Sequence, residues 1–178
     1  LATLFKHSLE SLINHTINQG RSYLTVNDIG NIISQAYLDK IQISKEIEGV
    51  YIANNLQQGF IYHALNQGDI DDAYRVQIIW EYQNKLDVVK LKEAWHYAQK
   101  RYSSLRLRFA WDDVLVQIVD REGTLNWWYI DLSDIQDTAL QTSKIKEIRE
   151  DDRTKAYDLG LGNLFRVHLI KQGEERYT

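Results

Sequence analysis

Among its 178 residues the chain has no cysteine, no proline and no methionine. Without cysteine it has no thiolate nucleophile, no disulfide and no Cys-based zinc site. The missing initiator methionine points to an excised piece of a longer polypeptide. Average usage of about 5% proline would place several in a chain this long, and nothing physical accounts for having none. Long apolar runs are missing too. None approaches the roughly 20 residues a membrane-spanning helix needs, and the start LATLFKHSLES lacks the layout of a secretory signal. The expectation is a soluble cytoplasmic protein with no membrane partner. No block of like charge occurs either. The 21 basic and 25 acidic residues are scattered, giving a formal charge of -4, so nothing is offered to a nucleic-acid backbone. A phosphate loop, a nucleophile elbow and a metal signature are all lacking, and the GLG at residues 160–162 is too short for a dinucleotide fingerprint.

What is present is ordinary globular material, 44% apolar, 26% charged and 11% aromatic, enough for one domain or for part of a larger one with a flanking piece. Residues 4–18 place Leu4, Phe5, Leu9, Leu12 and Ile13 at helical spacing, which predicts an amphipathic helix ending by Gly20. Thr25 or Asn27 is the expected cap of a second helix through Ile29, Ile32, Ile33 and Ala36, followed by a polar connection with a boundary near residues 40–48. Asn54 or Asn55 opens a short helix carrying Leu56, Phe60, Ile61, Ala64 and Leu65, stopped by Gly68. Residues 73–83 alternate through Tyr74, Val76, Ile78, Trp80 and Tyr82 and make the strongest strand pattern in the chain. Asp87 caps a periodic helix through Val88, Leu91, Trp95, Ala98 and Tyr102. Residues 105–111 and 114–119 form a hairpin about Asp112-Asp113. A strand at 124–133, a helix from Ser133 or Asp137 to about Ala156, and a strand at 164–171 entering a further hairpin complete the order. This is a mixed α/β (α+β) layout with helices covering a sheet. A final strand opening a hairpin without a partner would leave an unpaired edge, which argues that the natural domain continues.

The candidate chemistry is sparse. His7 and His15 lie on the first helix without a carboxylate set and read as surface residues; His96 reads as a boundary residue. His168 points away from Val167 and Leu169, either into solvent or into a cleft. Gly59, in a helix interior, costs about 1 kcal/mol relative to alanine. Tight packing on a neighbour is the plain reading, and passage of a backbone or tethered substrate is the functional one. Arg106 and Arg108 alternate with Leu105, Leu107 and Phe109, so they share a strand face, solvated by default and needing carboxylates if covered. From the residues alone no enzyme can be inferred.

Ordered segments nevertheless resemble one family. YIANNLQQGFIYHAL at residues 51–65 is similar to the opening motif of condensation domains of nonribosomal peptide synthetases, with Ile52 at its proline. KRYSSLRLRF at residues 100–109 is similar to Arg-His-x-x-Leu-Arg-Thr-x-Phe, keeping Arg101, Leu105, Arg106 and Phe109 but with Tyr102 for histidine and Leu107 for threonine. YDLGLGNLFRVHLIK at residues 157–171 is similar to Phe-Asp-Leu-x-x-Gly-Pro-Leu-x-Arg, with Asn163 at the proline. In the family HHxxxDG follows a strand or so later, beyond Thr178. Residues 5–29 also resemble the end of an epimerization domain, with Val26 at a proline.

The resemblance implies residues 1–40 as an upstream epimerization- or condensation-type tail, 41–48 as a linker, and 49–178 as the amino-terminal lobe of a fold like chloramphenicol acetyltransferase, cut before HHxxxDG. It implies no catalytic residue and no metal in this piece. Arg106 would support the active site structurally by pairing with the aspartate of HHxxxDG, and in its absence would be an unpaired buried charge costing several kcal/mol unless it reaches water. Gln57, Gly59, His63 and Arg101 would be motif or donor-side tunnel residues. The partners implied are donor and acceptor carrier domains and adjacent epimerization and adenylation domains. The only cofactor is phosphopantetheine, on the carriers. The parent would be an amide-bond-forming acyltransferase and the piece itself inactive. The Gln-x-Gly form of the opening motif implies a D-configured donor. An epimerization or noncatalytic recruiting role on the same fold, or a plain interaction module, are the alternatives.

Overall fold

The computed structural model describes residues 2–67 and 74–178. The first helix, α1 (Ala2–Asn18), has the expected bounds, yet none of its residues is buried. Its apolar positions Leu4, Phe5, Leu12 and Ile17 all lie exposed. The second helix is not where the Thr25 and Asn27 caps place it. The Asp28 carboxylate accepts from both the amide and the hydroxyl of Thr25, each at 2.7 Å, and closes a turn. Gly30 and Asn31 then adopt positive φ, which ends any helix. Helix α2 (Gln35–Ile41) starts later, with the Ser34 hydroxyl accepting from the Tyr37 amide.

A strand that the hydropathy pattern did not announce, β1 (Ile47–Ile52), begins inside the stretch read as a polar connection. It pairs antiparallel with β3 (Val116–Asp120), which also pairs with β2 (Leu107–Ala110), giving the sheet order β1-β3-β2. The hairpin β2-β3 falls where the alternation predicts it, except that Ser103–Arg106 is a 3₁₀ turn and not strand. Ile47, Val50, Val116 and Ile118 face one way from this sheet, and Ile29, Ile33 and Leu38 close over them as one core. Residues ahead of β1 therefore supply three of the seven buried members of the main hydrophobic cluster.

Helices α3 (Asn55–Gln67), α4 (Val88–Arg101) and α5 (Thr138–Thr154) follow the sequence reading closely. Asn54 and Gln57 exchange reciprocal bonds of 2.9 Å, side chain to amide in each direction, which is a capping box. Asp87 caps α4 and Asp137 caps α5. The Gly68 stop of α3 lies outside the described residues. Strands β4 (Asn126–Asp131) and β5 (Arg166–Lys171) pair in parallel. Beyond β5 the chain turns back, and Ile170 and Thr178 exchange two backbone bonds of 2.8 and 2.9 Å. Tyr177 bridges Lys171 on one side and Tyr82 on the other, so the terminal arm is not the unpartnered edge expected of it.

The strongest strand pattern gave no strand. Ala73 falls outside the described residues, Tyr74 lies in a turn at φ +69°, and residues 75–82 form no strand, with a single bridge at Tyr82. Alternation says that a segment fits a half-buried pleated surface; a ladder also needs a neighbour.

A short carboxylate cluster about Glu46 holds the front of the chain. Glu46 accepts from the Ser22 amide at 3.1 Å and hydroxyl at 2.6 Å and pairs with Arg121 at 3.1 Å. Those hydrogen bonds, then Arg121 and Arg21, hold its carboxyl below the ordinary 4.5. A depressed folded value means stabilisation that is present above pH 4.5 and is lost as pH falls through the folded value. Between pH 5 and 3 the thermal midpoint should therefore fall less steeply in Glu46→Gln than in the parent chain, as scanning calorimetry would show; equal slopes would refute the assignment.

Candidate functional site

Helix α3, residues 74–82, α4, α5 and β5 surround a cleft of about 820 Å³. Its apolar wall includes Ile61, Trp95, Leu105 and Phe109. Alternation along β5 sends Arg166 and His168 to one face, where both meet Asp152 of α5. Arg166 Nε lies 2.9 Å and His168 Nε2 3.3 Å from the same carboxylate oxygen, and Gln77 Nε2 donates to the other at 3.0 Å. The Arg166 guanidinium sits 4.1 Å above the Tyr157 ring, and burial raises the Tyr157 phenol above its ordinary value despite that charge. His168 stacks flat on Trp128 at 4.6 Å. Its Nδ1 is buried without a hydrogen-bond partner among the described residues. An imidazole so held, one nitrogen on a carboxylate and the other sealed from solvent, has no free nitrogen to present to a substrate. Of the two readings of His168 the cleft is therefore the correct one, in an ion-pair cluster that the sequence alone did not assemble. The signal was available, since the FRVH stretch puts a cation and an imidazole two residues apart on a strand.

The other charged cluster lies behind the hairpin. Arg106 and Arg108 are 6% and 7% exposed, which overturns the solvated reading. They also sit on different elements, one in the 3₁₀ turn and one in β2. Arg106 is not the unpaired charge expected of it. It bonds Glu48 at 2.7 Å and the carbonyls of Gln99, Asp120 and Arg121. Arg108 Nε bonds Asp120 at 2.8 Å and its Nη2 bonds the Ile41 carbonyl at 2.8 Å. Lys45 reaches the second Asp120 oxygen at 3.2 Å and the Leu161 carbonyl at 2.6 Å.

The segments that carry the family resemblance meet on this frame. Gln57 lines the cleft and donates to Gln117 of β3 at 3.0 Å. His63 lines it also, edge-on to Tyr74 at 5.1 Å. The turn at residues 158–163 lies against β2, with the Phe109 amide donating to the Leu159 carbonyl at 2.8 Å. Gly162, at φ +85°, would place a Cβ 3.2 Å from both Arg108 Cβ and the Leu107 carbonyl, so only glycine fits. Asn163 follows at φ +56°, a value proline cannot adopt, which gives the departure from the family's Gly-Pro a geometric reason. Two candidates stand apart. Arg101 is exposed at the end of α4 and does not line the cleft. At Gly59 an added Cβ would meet nothing within 4 Å, so tight packing does not explain it. His7, His15 and His96 are exposed. Among the described residues no group of three or more His, Asp or Glu side chains could hold a metal ion, and no helix is long and apolar enough to cross a membrane.

The condensation domain family model matches residues 47–178. The chain belongs to that family. Its relatives are nonribosomal peptide synthetases. N-(5-amino-5-carboxypentanoyl)-L-cysteinyl-D-valine synthase of Amycolatopsis lactamdurans is 41% identical over 155 residues, covering 84% of this chain and 4% of that protein. Bacitracin synthase 1 of Bacillus licheniformis is 29% identical over 182 residues, covering 97% of this chain and 3% of the relative. The condensation-domain chain thus spans a small fraction of the curated relatives it matches. Among solved structures, the starter condensation domain of rhizomide synthetase superposes with a TM-score of 0.60 at 17% identity, over 72% of this chain and 32% of that one. The epimerization domain from the third module of tyrocidine synthetase B gives 0.57 at 18% identity, over 75% and 29%. At such identities the likeness shows the fold alone, the mixed α/β lobe of chloramphenicol acetyltransferase type.

Proposed function

We propose that the chain is the amino-terminal lobe of a condensation domain that joins donor and acceptor thioesters, held on carrier domains, into a peptide bond. The observation that carries this reading is the convergence of the three family-like segments on one frame: Gln57 against β3, Arg106 buried behind β2, and the turn at Gly162 packed on Arg108. In the reaction the acceptor amine attacks the donor carbonyl, the new C–N bond forms as the C–S bond breaks, and the proton lost by the amine leaves with the carrier thiol. Holding both thioesters together supplies much of the rate.

Arg106 acts on this reading as a positioning residue, through the frame, and Gln57, Gly59, His63 and Arg101 are motif or donor-side tunnel residues, of which Gln57 and His63 line the cleft. The histidine of HHxxxDG is to be supplied by polypeptide following Thr178. The resemblance favours an upstream epimerization- or condensation-type origin for residues 1–40, with 41–48 as linker, but Ile29, Ile33 and Leu38 of that stretch pack on β1 and β3 in this lobe's own core. Carrier, adenylation and epimerization domains are the partners, and phosphopantetheine is carried by the carriers. The Gln-x-Gly of α3 favours a D-configured donor.

The test pairs the complete domain with carrier proteins loaded with D- or L-aminoacyl donors and an L-aminoacyl acceptor. The expected result is a dipeptidyl thioester, at least tenfold faster from the D-donor, and none from the 178-residue chain. Inversion of the donor without amide formation would establish an epimerization role instead. Absence of both reactions would leave a recruiting module and overturn the proposal.

A further inference from the structure

We infer that Lys45 is a positioning residue for the proposed reaction, an inference that rests on the condensation reading of the cleft: from the connection ahead of β1 it holds the turn at residues 158–163, and with it one wall of that cleft.

Nothing in the sequence marks Lys45. It stands in the stretch read as a polar connection, ahead of the family match that begins at residue 47 and outside every segment that resembles the family. Its ammonium nonetheless donates at 2.6 Å to the carbonyl of Leu161, 116 positions on, and at 3.2 Å to the buried carboxylate of Asp120. Asp120 ends β3 and is itself fixed by Arg108 at 2.8 Å, so the ammonium has a rigid seat. A compact charge with three donors, once seated, can hold a carbonyl in place.

The carbonyl it holds belongs to a demanding stretch of backbone. The peptide unit joining Leu161 to Gly162 sets φ of Gly162, and Gly162 and Asn163 are successive positive-φ positions, at +85° and +56°. Outside glycine such a conformation is uncommon and persists where neighbours enforce it. Asp158 satisfies the amides of the turn: its carboxylate accepts from Gly160 and Leu161, and its carbonyl accepts from Gly162. The Leu161 carbonyl is different, since among the described residues only Lys45 donates to it.

The turn matters because of what it carries. Leu159 lines the cleft, and Asn163 leads directly into Leu164, Phe165 and Arg166, which line it too. Phe165 packs on Trp95 of α4 at 6.0 Å, and Arg166 pairs with Asp152 at 2.9 Å. The turn also covers the outer edge of β2, where the Phe109 amide donates to the Leu159 carbonyl. Lys45 does not line the cleft, so it acts through the turn and not on the substrate. A misplacement of roughly 1 Å in a wall that orients two reactants costs up to about a hundredfold in rate.

Lys45→Met keeps the length of the side chain and removes both bonds. The variant should fold, because Asp120 keeps Arg108 and the Leu161 carbonyl, on a residue 65% exposed, can take water. Lys40→Met is the control, since Lys40 lies in the same part of the chain but pairs with Asp112 in an exposed ion pair. In the 178-residue chain, amide exchange at Phe109, whose acceptor lies in the turn, should quicken about tenfold in Lys45→Met. Exchange at Ala53, which bonds Leu115 at the far end of the sheet, should stay within about twofold, and Lys40→Met should leave both amides within that margin. In the complete domain, kcat for dipeptidyl-thioester formation should fall about tenfold in Lys45→Met, with KM for each loaded carrier within about twofold. Unchanged exchange at Phe109, an equal rise at Ala53, or a raised KM with kcat intact would each overturn the inference. An unsubstituted domain that forms no amide would sink the reaction, while quickened exchange at Phe109 would keep Lys45's hold on the cleft wall. An active domain whose Lys45→Met variant matches it in both measurements would do the reverse.

Discussion

Asp120→Ala should destabilise the folded chain by about 3–5 kcal/mol, the usual cost of removing one partner from a buried ion pair. Asp120 is 4% exposed and sits at the end of β3 between two cations. Its loss leaves the Arg108 guanidinium, 7% exposed, with only the Ile41 carbonyl, and removes the partner that holds Lys45 to the frame. The damage is not confined to one pair, because Lys45 also bonds the Leu161 carbonyl beside Gly162. One carboxylate therefore ties the segment before β1, strand β2 and the turn at residues 158–163. Asp120→Asn keeps an acceptor for Arg108 and should cost less than Asp120→Ala. The double variant Asp120→Leu with Arg108→Met removes both charges and should recover much of the loss. Urea unfolding followed by tryptophan fluorescence measures all three. A loss under 1 kcal/mol for Asp120→Ala would show that the buried arginine finds water or another acceptor.

Much of the fold was readable from local pattern. Helices α4 and α5 announce themselves through Asp87 and Asp137, and the β2-β3 hairpin through alternation about Asp112-Asp113, because each needs only near neighbours in sequence. What escaped depends on distant partners. β1 contains Glu48 and Gly49 between apolar residues and becomes a strand by pairing with β3, about seventy positions on. Residues 74–82 show the opposite failure, strong alternation with one bridge. The arginines illustrate the limit at the site. Alternation says that Arg106 and Arg108 share a direction, but only the fold brings Gln99, Glu48 and Asp120 over them. Of the candidate site residues, Gln57 and His63 line the cleft, whereas Arg101 and Gly59 do not; the two segments that carry the resemblance, residues 51–65 and 100–109, name all four without distinguishing them.

Leu38→Ala should cost about 2–5 kcal/mol, as large-to-small changes at closed sites do, because both the buried methyl groups and the cavity left behind count. Leu38 is fully enclosed, at 0% exposure, in the cluster of Ile29, Ile33, Ile47, Val50, Val116 and Ile118. Little can collapse into the void, since β1 and β3 are locked in register on one side and the Ser34 cap fixes the start of α2 on the other. Leu9→Ala supplies the contrast. Leu9 belongs to α1, which buries nothing, and its truncation should shift stability by no more than about 0.5 kcal/mol. The two variants together locate the start of the cooperative unit. A large effect at Leu38 with none at Leu9 places it between α1 and α2, ahead of the family match at residue 47. Equal and small effects in chemical denaturation would mean that residues 24–41 pack on the sheet without being needed by it.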